Sequence, residues 1–288
     1  MDLAVSARGV AVSVPTRLAQ ILAVLLAVAA CEGGSAASAP SAAVQPQVEP
    51  ATGRPRPQPE RLRVEVLAEY PHDPSLYTQG LLIHEGWIFE SHGGYGRSGL
   101  VRYRLGAAPE RRIGLSEDLF AEGLDRVGDE LIQLTWRSGR VLRYRLEDFA
   151  PLPEWKLLGE GWGLAFDGDV LWVSNGTHLL TAHDPRTFER LRTVSVWRGG
   201  SPQSHLNELE WADGALFANV FETDQIVRID RDSGTVTAVI DASGLLSEAE
   251  AAAAEVLNGI AHRADRGTFL ITGKNWPRLF EVRFVADR

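Results

Sequence analysis

A three-residue pattern recurs along this chain and constrains its fold more than any other feature. In four copies a glycine lies between a polar or aromatic residue and an aliphatic one, and in a fifth copy glutamate replaces the glycine. The middle positions of the copies are 43, 40, 45 and 51 residues apart. The copies are Gln79-Gly80-Leu81, Glu122-Gly123-Leu124, Trp162-Gly163-Leu164, Asn207-Glu208-Leu209 and Asn258-Gly259-Ile260. A period of about 40 to 50 residues is typical of the blades of a β-propeller.

Each triplet is followed by two further segments with strand patterns. The first is a turn and an apolar run, as in "GWIFES", "DELIQLTW" and "GTFLITGK". The second alternates apolar and polar residues, and "RSGLVRYRL" and "RSGRVLRYRL" are nearly copies of one another. Alternation with a period of two is the signature of a half-buried strand. We therefore predict an all-β domain over residues 61–288, a five-bladed β-propeller.

Two segments depart from the repeat. "RLRVEVLAE", before the first triplet, alternates like a strand, and we expect it to pair with the last blade and close the ring. The longest spacing contains an alanine-rich segment preceded by Ser247 and Glu250, which have the spacing of a capping box. This pattern predicts a short helical insertion near residues 247–256.

The repeat also predicts where functional side chains converge. The first strand of each propeller blade lines the central channel, and a glycine there lets neighbouring backbones approach closely. The residue before each glycine then lies at one mouth of the channel, which gives a ring of Gln79, Glu122, Trp162, Asn207 and Asn258. The ends of the second strands should return to the same rim and add Glu90, Trp136, Asn175, Phe221 and Lys274. Such a ring predicts a pocket for a small polar ligand.

The N-terminal sequence predicts export. Two arginines precede a ten-residue apolar stretch, Ile21 to Ala30, which suits a signal peptide and is too short to span a membrane. The stretch ends in Val28-Ala29-Ala30-Cys31, which resembles a bacterial lipobox, so residues 1–30 are predicted to be removed and Cys31 to be lipidated. The alternative is ordinary secretion with cleavage near Ala29. Residues 31–60 have the composition of a disordered tether, and we expect a periplasmic or extracytoplasmic, membrane-anchored protein.

Composition excludes several other functions. A net charge of −9 disfavours a nucleic-acid partner, because phosphate binding needs a basic surface. The seven histidines are dispersed and there is a single cysteine, so we expect no catalytic zinc, although a structural ion in the channel stays open. "GYGRSG" (94–99) has the spacing of a dinucleotide fingerprint but precedes a strand pattern, so we interpret it as a hairpin loop. We expect no cofactor and a monomer.

Residues 65–285 resemble the plant and bacterial type of glutaminyl-peptide cyclotransferase, or glutamine cyclotransferase. The matching motifs, in order, include "YPHDPSLYTQGL", "ESHGGYGRSGLVRY", "FAEGL", "GWGLAFDG", "LNELEW", "ANVFETDQIVRID", "VLNGIA" and "TGKNWPRLFEVR". The resemblance implies a five-bladed propeller that converts an N-terminal glutaminyl residue into pyroglutamate and releases ammonia without zinc. Its substrates would be peptides or proteins with N-terminal glutamine.

The resemblance also implies roles for individual residues. Glu122 would carry the proton, and Gln79, Asn207 and Lys274 would hold the γ-carbonyl oxygen of the substrate. Tyr77, Phe120, Trp136, Trp162 and Phe221 would bind the substrate side chain, and Asn258 joins this set through its place in the predicted ring. The family usually has tryptophan where this chain has Phe221, so the aromatic face persists but the indole N–H donor is lost. That departure bears on substrate affinity or preference rather than on the reaction.

Two other functions are compatible with the same residues. One is a non-catalytic propeller lipoprotein that binds a peptide or glycan at the channel mouth. The other is a glycoside hydrolase, which needs two carboxylates that face one pocket, and Glu90 is the candidate for the second carboxylate. Ammonia release from a peptide that begins with glutamine would separate both from a cyclotransferase.

The lipobox interpretation can be tested by changing one residue. We expect Cys31→Ser to release the protein from the membrane fraction of a bacterial host or to block its processing, because the thiol is the site of lipid attachment. Fractionation followed by immunoblotting measures the outcome. A wild-type protein that is already soluble and begins at Ala30 would contradict the interpretation.

Overall fold

The computed structural model describes residues 57–287, so the predicted signal peptide, Cys31 and most of the predicted tether lie outside the described residues. The first nine strands are β1 (Glu60–Pro71), β2 (Thr78–His84), β3 (Trp87–His92), β4 (Gly99–Arg104), β5 (Arg111–Gly114), β6 (Ala121–Val127), β7 (Glu130–Thr135), β8 (Arg140–Arg145) and β9 (Pro151–Lys156). The next seven are β10 (Leu164–Phe166), β11 (Leu171–Val173), β12 (Leu179–His183), β13 (Arg190–Ser195), β14 (Trp197–Arg198), β15 (Ser201–Pro202) and β16 (Leu206–Ala212). The last elements are β17 (Ala215–Val220), β18 (Gln225–Ile229), β19 (Val236–Asp241), α1 (Glu248–Ala251), β20 (Leu257–Arg263), β21 (Thr268–Gly273) and β22 (Arg278–Ala286). The prediction of an all-β fold is confirmed.

Consecutive strands pair with one another to form small sheets. Strands β2–β5, β6–β9 and β10–β13 each form a four-stranded antiparallel sheet, and β14 and β15 form a short ribbon. An eight-stranded sheet has the order β16-β17-β18-β19-β1-β22-β21-β20. The two halves of this sheet are again groups of four, joined where β1 runs parallel to β19. These small sheets have the arrangement of a propeller-like fold.

Strand β1 pairs with the end of the chain, as its alternating sequence predicted. It runs antiparallel to β22, with Val64 opposite Phe284 and Pro71 opposite Arg278. The segment that enters the domain is therefore held between β19 and β22, and the sheet has no free edge at that point.

Tight turns and apolar packing hold these sheets together. The turn between β2 and β3 has positive φ at Glu85 and Gly86, which is the geometry of a type I′ hairpin and matches the twist of the strands. Between sheets, fully buried aliphatic side chains such as Leu100, Leu124 and Leu131 pack together. Each such side chain contributes about 1.5–3 kcal/mol relative to an exposed one.

The first strands of the sheets pack against one another around a common axis. Strand β2 contacts β6, β6 contacts β10, β10 contacts β16, β16 contacts β20, and β20 returns to β2. Glycines permit this approach, because a Cβ atom at Gly80 or Gly123 would overlap the backbone of the next first strand. At Gly163 it would overlap the carbonyl oxygen of Asn207. The predicted role of the triplet glycines is confirmed at these three positions.

The variant triplet places a carboxyl group at the centre of this arrangement. Glu208 lies in β16 and is 1% exposed. Its side chain accepts hydrogen bonds from the backbone N–H groups of Leu81 in β2 (3.2 Å) and Ile260 in β20 (3.0 Å). Burial and the nearby Glu210 raise the pKa of Glu208 well above its usual range, although the two N–H groups oppose that shift. One side chain thus links three first strands.

The helical insertion is shorter than the sequence predicted. The capping box of Ser247 and Glu250 is present, but α1 ends at Ala251. The residues beyond it turn back to the sheet, where Glu255 N–H donates to the carbonyl of Lys274 and Lys274 N–H donates to that of Val256 (both 2.9 Å). Pairing with a distant strand end therefore overrides the local helix propensity. No helix within residues 57–287 has the length and apolar character needed to cross a membrane.

The glycine contacts predict a difference between two matched substitutions. Gly163→Ala should lower the free energy of unfolding by about 1–3 kcal/mol, because the added methyl group must displace backbone rather than a side chain. Gly114→Ala, in β5, is the control because a Cβ atom there meets nothing within 4 Å. Denaturant unfolding measures both, and an equal effect at the two positions would contradict the close approach.

Candidate functional site

The residues that precede the triplet glycines lie at the start of the first strands and are mostly buried. Gln79 is 3% exposed, Glu122 4%, Asn207 2% and Asn258 0%, whereas Trp162 is half-buried just before β10. Asn258 Nδ2 donates to Gln79 Oε1 at 3.3 Å, so these two side chains meet across neighbouring sheets. Around these positions β2, β6, β16 and β20 each have an irregular register with the next strand. Such irregularities redirect side chains next to functional sites.

Three residues at the ends of second strands come back to the same rim, as predicted. Trp136, Phe221 and Lys274 follow β7, β17 and β21. In each case the backbone N–H donates to the carbonyl of the residue that precedes the first strand of the same sheet, at 2.8 to 3.0 Å. The side-chain oxygen of Asn175 accepts hydrogen bonds from the N–H and hydroxyl of Thr177 and closes a turn, and its neighbour Gly176 lies against the Trp162 ring.

The prediction that Glu90 faces the rim is wrong. Its side chain is fully buried, at hydrogen-bond distance from His72 Nε2 (3.1 Å), Thr78 Oγ1 (2.7 Å) and the hydroxyl of Tyr103 (2.7 Å). Burial acts to raise the pKa of Glu90, but the charge of His72 and the hydrogen bonds from His72, Thr78 and Tyr103 hold it below its usual range. Strand β3 continues to His92, so Glu90 lies inside the sheet and cannot serve as the second carboxylate of a glycosidase.

Aromatic rings surround the rim. The Phe120 ring contacts those of Tyr77 at 6.1 Å, Trp136 at 5.6 Å and Tyr95 at 5.4 Å, in edge-to-face geometry. On the other side, Trp162 meets a second phenylalanine, Phe221, edge to face at 5.5 Å. All of these except Tyr95 were predicted from the sequence as substrate-binding residues.

Lys274 is a buried cation held between two of these rings. It is 3% exposed, and its Nζ lies 4.9 Å from the centroids of both Tyr77 and Phe221. Aromatic faces attract cations through their quadrupole. Burial lowers the pKa of Lys274, and the negative charges of Glu122 and Glu255 oppose that shift.

Glu122 is the buried acid of the rim. Its carboxyl group has no hydrogen-bond donor within residues 57–287. Burial raises the pKa of Glu122 well above its usual range, Lys274 opposes the shift, and Glu160 adds to it. Its backbone is fixed, since the hydroxyl of Ser91 donates to the Glu122 carbonyl at 2.5 Å. The site thus holds a buried acid whose neutral form is favoured by desolvation.

The structure adds rim residues that sequence reasoning missed. Burial and the carboxylates of Glu255 and Glu122 raise the pKa of Tyr77 to about 12. Glu255, which follows α1 in the sequence, is therefore close enough to Tyr77 to act on its hydroxyl group. Glu160 lies on the opposite side, where it contacts both tryptophans. Its only sequence signal is that it lies two residues before Trp162 in "GEGWGL". Tyr95 lies in the "GYGRSG" loop between β3 and β4, where the predicted hairpin is confirmed.

Donors and acceptors for a ligand are present, whereas a metal-ligand set is not found among the described residues. Asn207 Oδ1 and Asn258 Oδ1 are buried and have no hydrogen-bond partner within residues 57–287. In the same range, histidine, cysteine, aspartate and glutamate form no group of three or more that could hold a metal ion. The arrangement offers a buried acid, a buried amine, amides and aromatic walls, which suits proton transfer on a small polar group.

Comparison with known proteins gives a consistent result. A sequence model of the glutamine cyclotransferase family matches residues 30–284. A glutaminyl-peptide cyclotransferase from Arabidopsis thaliana is 35% identical over 227 residues, which are 76% of this chain and 71% of that protein. The crystal structure of Myxococcus xanthus glutaminyl cyclase superposes with a TM-score of 0.73 at 38% identity, over 80% of this chain and 100% of that one. With its sequence, its fold and its similarity to these proteins in agreement, the chain belongs to the glutamine cyclotransferase family.

Proposed function

We propose that the protein converts the N-terminal glutaminyl residue of peptides or proteins into pyroglutamate and releases ammonia. The family membership and the names of the two relatives support this reaction. The observation that carries it is Glu122, a buried acid without a hydrogen-bond donor within residues 57–287, beside a buried lysine and aromatic rings. A pocket that only bound peptide would not require a desolvated proton carrier.

Cyclisation joins two groups that belong to the same substrate residue. The α-amine attacks the γ-carboxamide carbon, so the protein mainly has to select the folded conformer. The side chain of glutamine is short, and the proposed walls that hold it in this conformer and exclude water are Tyr77, Phe120, Trp136, Trp162 and Phe221. Asn258 completes the proposed binding set through its contact with Gln79.

Proton transfer is assigned to Glu122. The C–N bond to the α-nitrogen forms as that nitrogen loses a proton, and the bond to the amide nitrogen breaks as that nitrogen gains one and leaves as ammonia. A carboxyl group that is protonated at rest can give its proton to the leaving nitrogen and recover one from the attacking nitrogen. The protein then returns to its starting state, and no proton is gained or lost in the cycle.

The remaining polar residues are assigned to the γ-carbonyl oxygen. Negative charge develops on this oxygen as the amine attacks, and fixed donors at that point stabilise the transition state. Lys274, Gln79 and Asn207 are the proposed donors. The rings of Tyr77 and Phe221 hold the ammonium group of Lys274 in place, so little reorganisation is needed when the charge forms.

We also propose the finer features of the fold and its cellular setting. Five groups of four strands and the cyclic contacts of five first strands support a propeller of five blades. Residues 1–30 as a signal peptide, Cys31 as a lipid attachment site and residues 31–60 as a tether would place the domain 61–288 outside the cytoplasm, anchored to a membrane. The sequence pattern of residues 17–31 supports this arrangement.

The role of Glu122 predicts the kinetics of one substitution. Glu122→Gln keeps the size and polarity of the side chain and removes its titrating group. The kcat should fall by roughly 10²- to 10⁴-fold, the usual scale of general acid–base catalysis, while KM changes much less. Steady-state ammonia release from a peptide that begins with glutamine measures both constants.

A matched variant controls for the chemical change itself. Glu117→Gln makes the same substitution at an exposed position before β6 and should leave both constants within about two-fold, as substitutions of exposed side chains usually do. If the kcat of Glu122→Gln stays within a few-fold of wild type, Glu122 is a structural or binding residue and the proton carrier lies elsewhere on the rim.

We propose that the reaction needs no metal ion, because the assigned roles require only an acid, a lysine, amides and aromatic walls. Chelators should therefore leave the rate of pyroglutamate formation unchanged. The assay should compare a zinc-selective chelator with buffer alone and follow thermal melting in parallel, so that loss of a structural ion is recognised separately. Activity that disappears with the chelator and returns with zinc alone would overturn the proposal.

A further inference from the structure

Glu160 lies in a short segment that connects two sheets at the rim. This segment follows β9 and precedes β10, and its backbone is tied down on the side of the preceding sheet. Gly161 N–H donates to the carbonyl of Trp136 at 3.2 Å, and Leu157 N–H donates to that of Gly139 at 2.9 Å. These hydrogen bonds hold the backbone around Glu160 against the sheet of β6–β9, at the point where the chain passes to the sheet of β10–β13.

That carboxyl group binds both tryptophans of the pocket wall. The indole N–H groups of Trp136 and Trp162 donate to the same oxygen, Glu160 Oε2, at 2.9 and 3.1 Å. The other oxygen, Oε1, accepts a hydrogen bond from Arg137 Nε at 2.8 Å. The guanidinium group of Arg137 lies 3.8 Å from the centroid of the Trp136 ring, so it covers one face of that indole.

The shared carboxylate couples rings that come from different sheets. Trp136 belongs to the sheet of β6–β9 and Trp162 leads into that of β10–β13. The backbone hydrogen bond from Gly161 to Trp136 brings the two segments together but does not set the angle between the two indole side chains. An indole has one N–H donor, and anchoring that donor removes its freedom to rotate about the side-chain bonds. Trp162 in turn contacts Phe221, which lies under Lys274.

We propose that Glu160 is a positioning residue that locks Trp136 and Trp162 into a single substrate-binding wall. This inference rests on the proposed cyclisation for its catalytic consequence. The locking of the indoles rests on the contacts alone.

The charge of Glu160 has a separate effect from its hydrogen bonds. Burial acts to raise the pKa of Glu160, but hydrogen bonds from Arg137, Trp162 and Trp136 hold it below its usual range, so the group is ionised at neutral pH. The charged or titratable groups that act on Glu122 are Lys274, Glu160 and Tyr77. Because Glu160 disfavours a second negative charge nearby, removing its charge should lower the pKa of Glu122.

Three variants separate orientation from charge. Glu160→Gln keeps an acceptor for the indoles and removes the charge, Glu160→Ala removes both, and Arg137→Met keeps both but removes the guanidinium group. Glu154→Gln breaks a comparable exposed pair with Arg140 on the same sheet and serves as the control. Each variant is assayed for kcat and KM across pH, for near-ultraviolet circular dichroism, and for affinity to a dipeptide that begins with pyroglutamate.

The expected pattern differs between the variants. Glu160→Ala should lower kcat/KM by roughly 10- to 10²-fold, the scale expected when binding groups are misplaced by about an ångström, and should alter the tryptophan dichroism. Glu160→Gln should largely retain product affinity and dichroism. We expect the titration of Glu122 to appear as one limb of the pH–rate profile, and in both variants this pH limb should move to lower pH. In Arg137→Met and Glu154→Gln it should not move down, because the negative charge of Glu160 remains.

Other outcomes would overturn the inference or the proposed function separately. Glu160→Ala with unchanged dichroism and kcat/KM within two-fold of wild type would show that the indoles do not depend on Glu160. An unmoved pH limb in Glu160→Gln would refute the electrostatic effect. If Glu160→Ala does not fold, the pH limb and the product affinity of Glu160→Gln test the role of Glu160 instead. Wild-type protein that releases no ammonia would refute the proposed cyclisation. The dichroism of the variants would still show whether Glu160 fixes the orientation of Trp136 and Trp162.

Discussion

The close approach of the first strands is the constraint on which the rest of the structure depends. Gly80, Gly123 and Gly163 leave no room for a side chain, because the backbone of the next first strand lies where their Cβ atoms would be. Glu208 breaks the pattern and instead uses its carboxyl group to bind the backbone of β2 and β20. A ring this tight brings the residues just before these positions together at one mouth. The site is therefore a geometric consequence of the packing, and its chemistry depends on which side chain each repeat supplies at that point.

Burial shifts the pKa values of Glu122 and Lys274, two of the ionisable groups of this site, in opposite directions. It raises the pKa of Glu122 and lowers that of Lys274, so both groups are displaced towards their neutral forms, while each one's charge opposes the shift of the other. The charge of each group therefore influences the proton affinity of the other. The rings of Tyr77 and Phe221 favour the charged form of the lysine without donating or accepting a proton. Such a pair suits a reaction in which a proton moves between nitrogens while an oxygen gains charge.

Sequence reasoning predicted the features that depend on local pattern and spacing. The strands, the triplet at the start of each first strand, the pairing of β1 with β22 and the capping box of Ser247 all follow from periodicity or short motifs. It failed where a contact with a residue far away in the sequence determines the position of a side chain or the end of a helix. Glu90 is buried inside the sheet, where it contacts His72. The residues beyond Ala251 do not continue the helix, because they pair with the backbone of Lys274. Glu160 escaped notice for the same reason, since neither of its indole partners is marked as such by spacing along the chain.

The contacts of Phe221 with Lys274 and Trp162 change the interpretation of this residue. The family resemblance implies a tryptophan at this position, and the sequence alone indicates the loss of an indole donor. In the structure the ring presents its face to Lys274 and meets the edge of Trp162, whereas the two indole donors of the rim are already bound to Glu160. A phenyl face attracts a cation less strongly than an indole face does. Compared with tryptophan, phenylalanine at this position is thus expected to stabilise the charged form of Lys274 less, on the same side of the pocket where the γ-carbonyl oxygen is proposed to gain its charge.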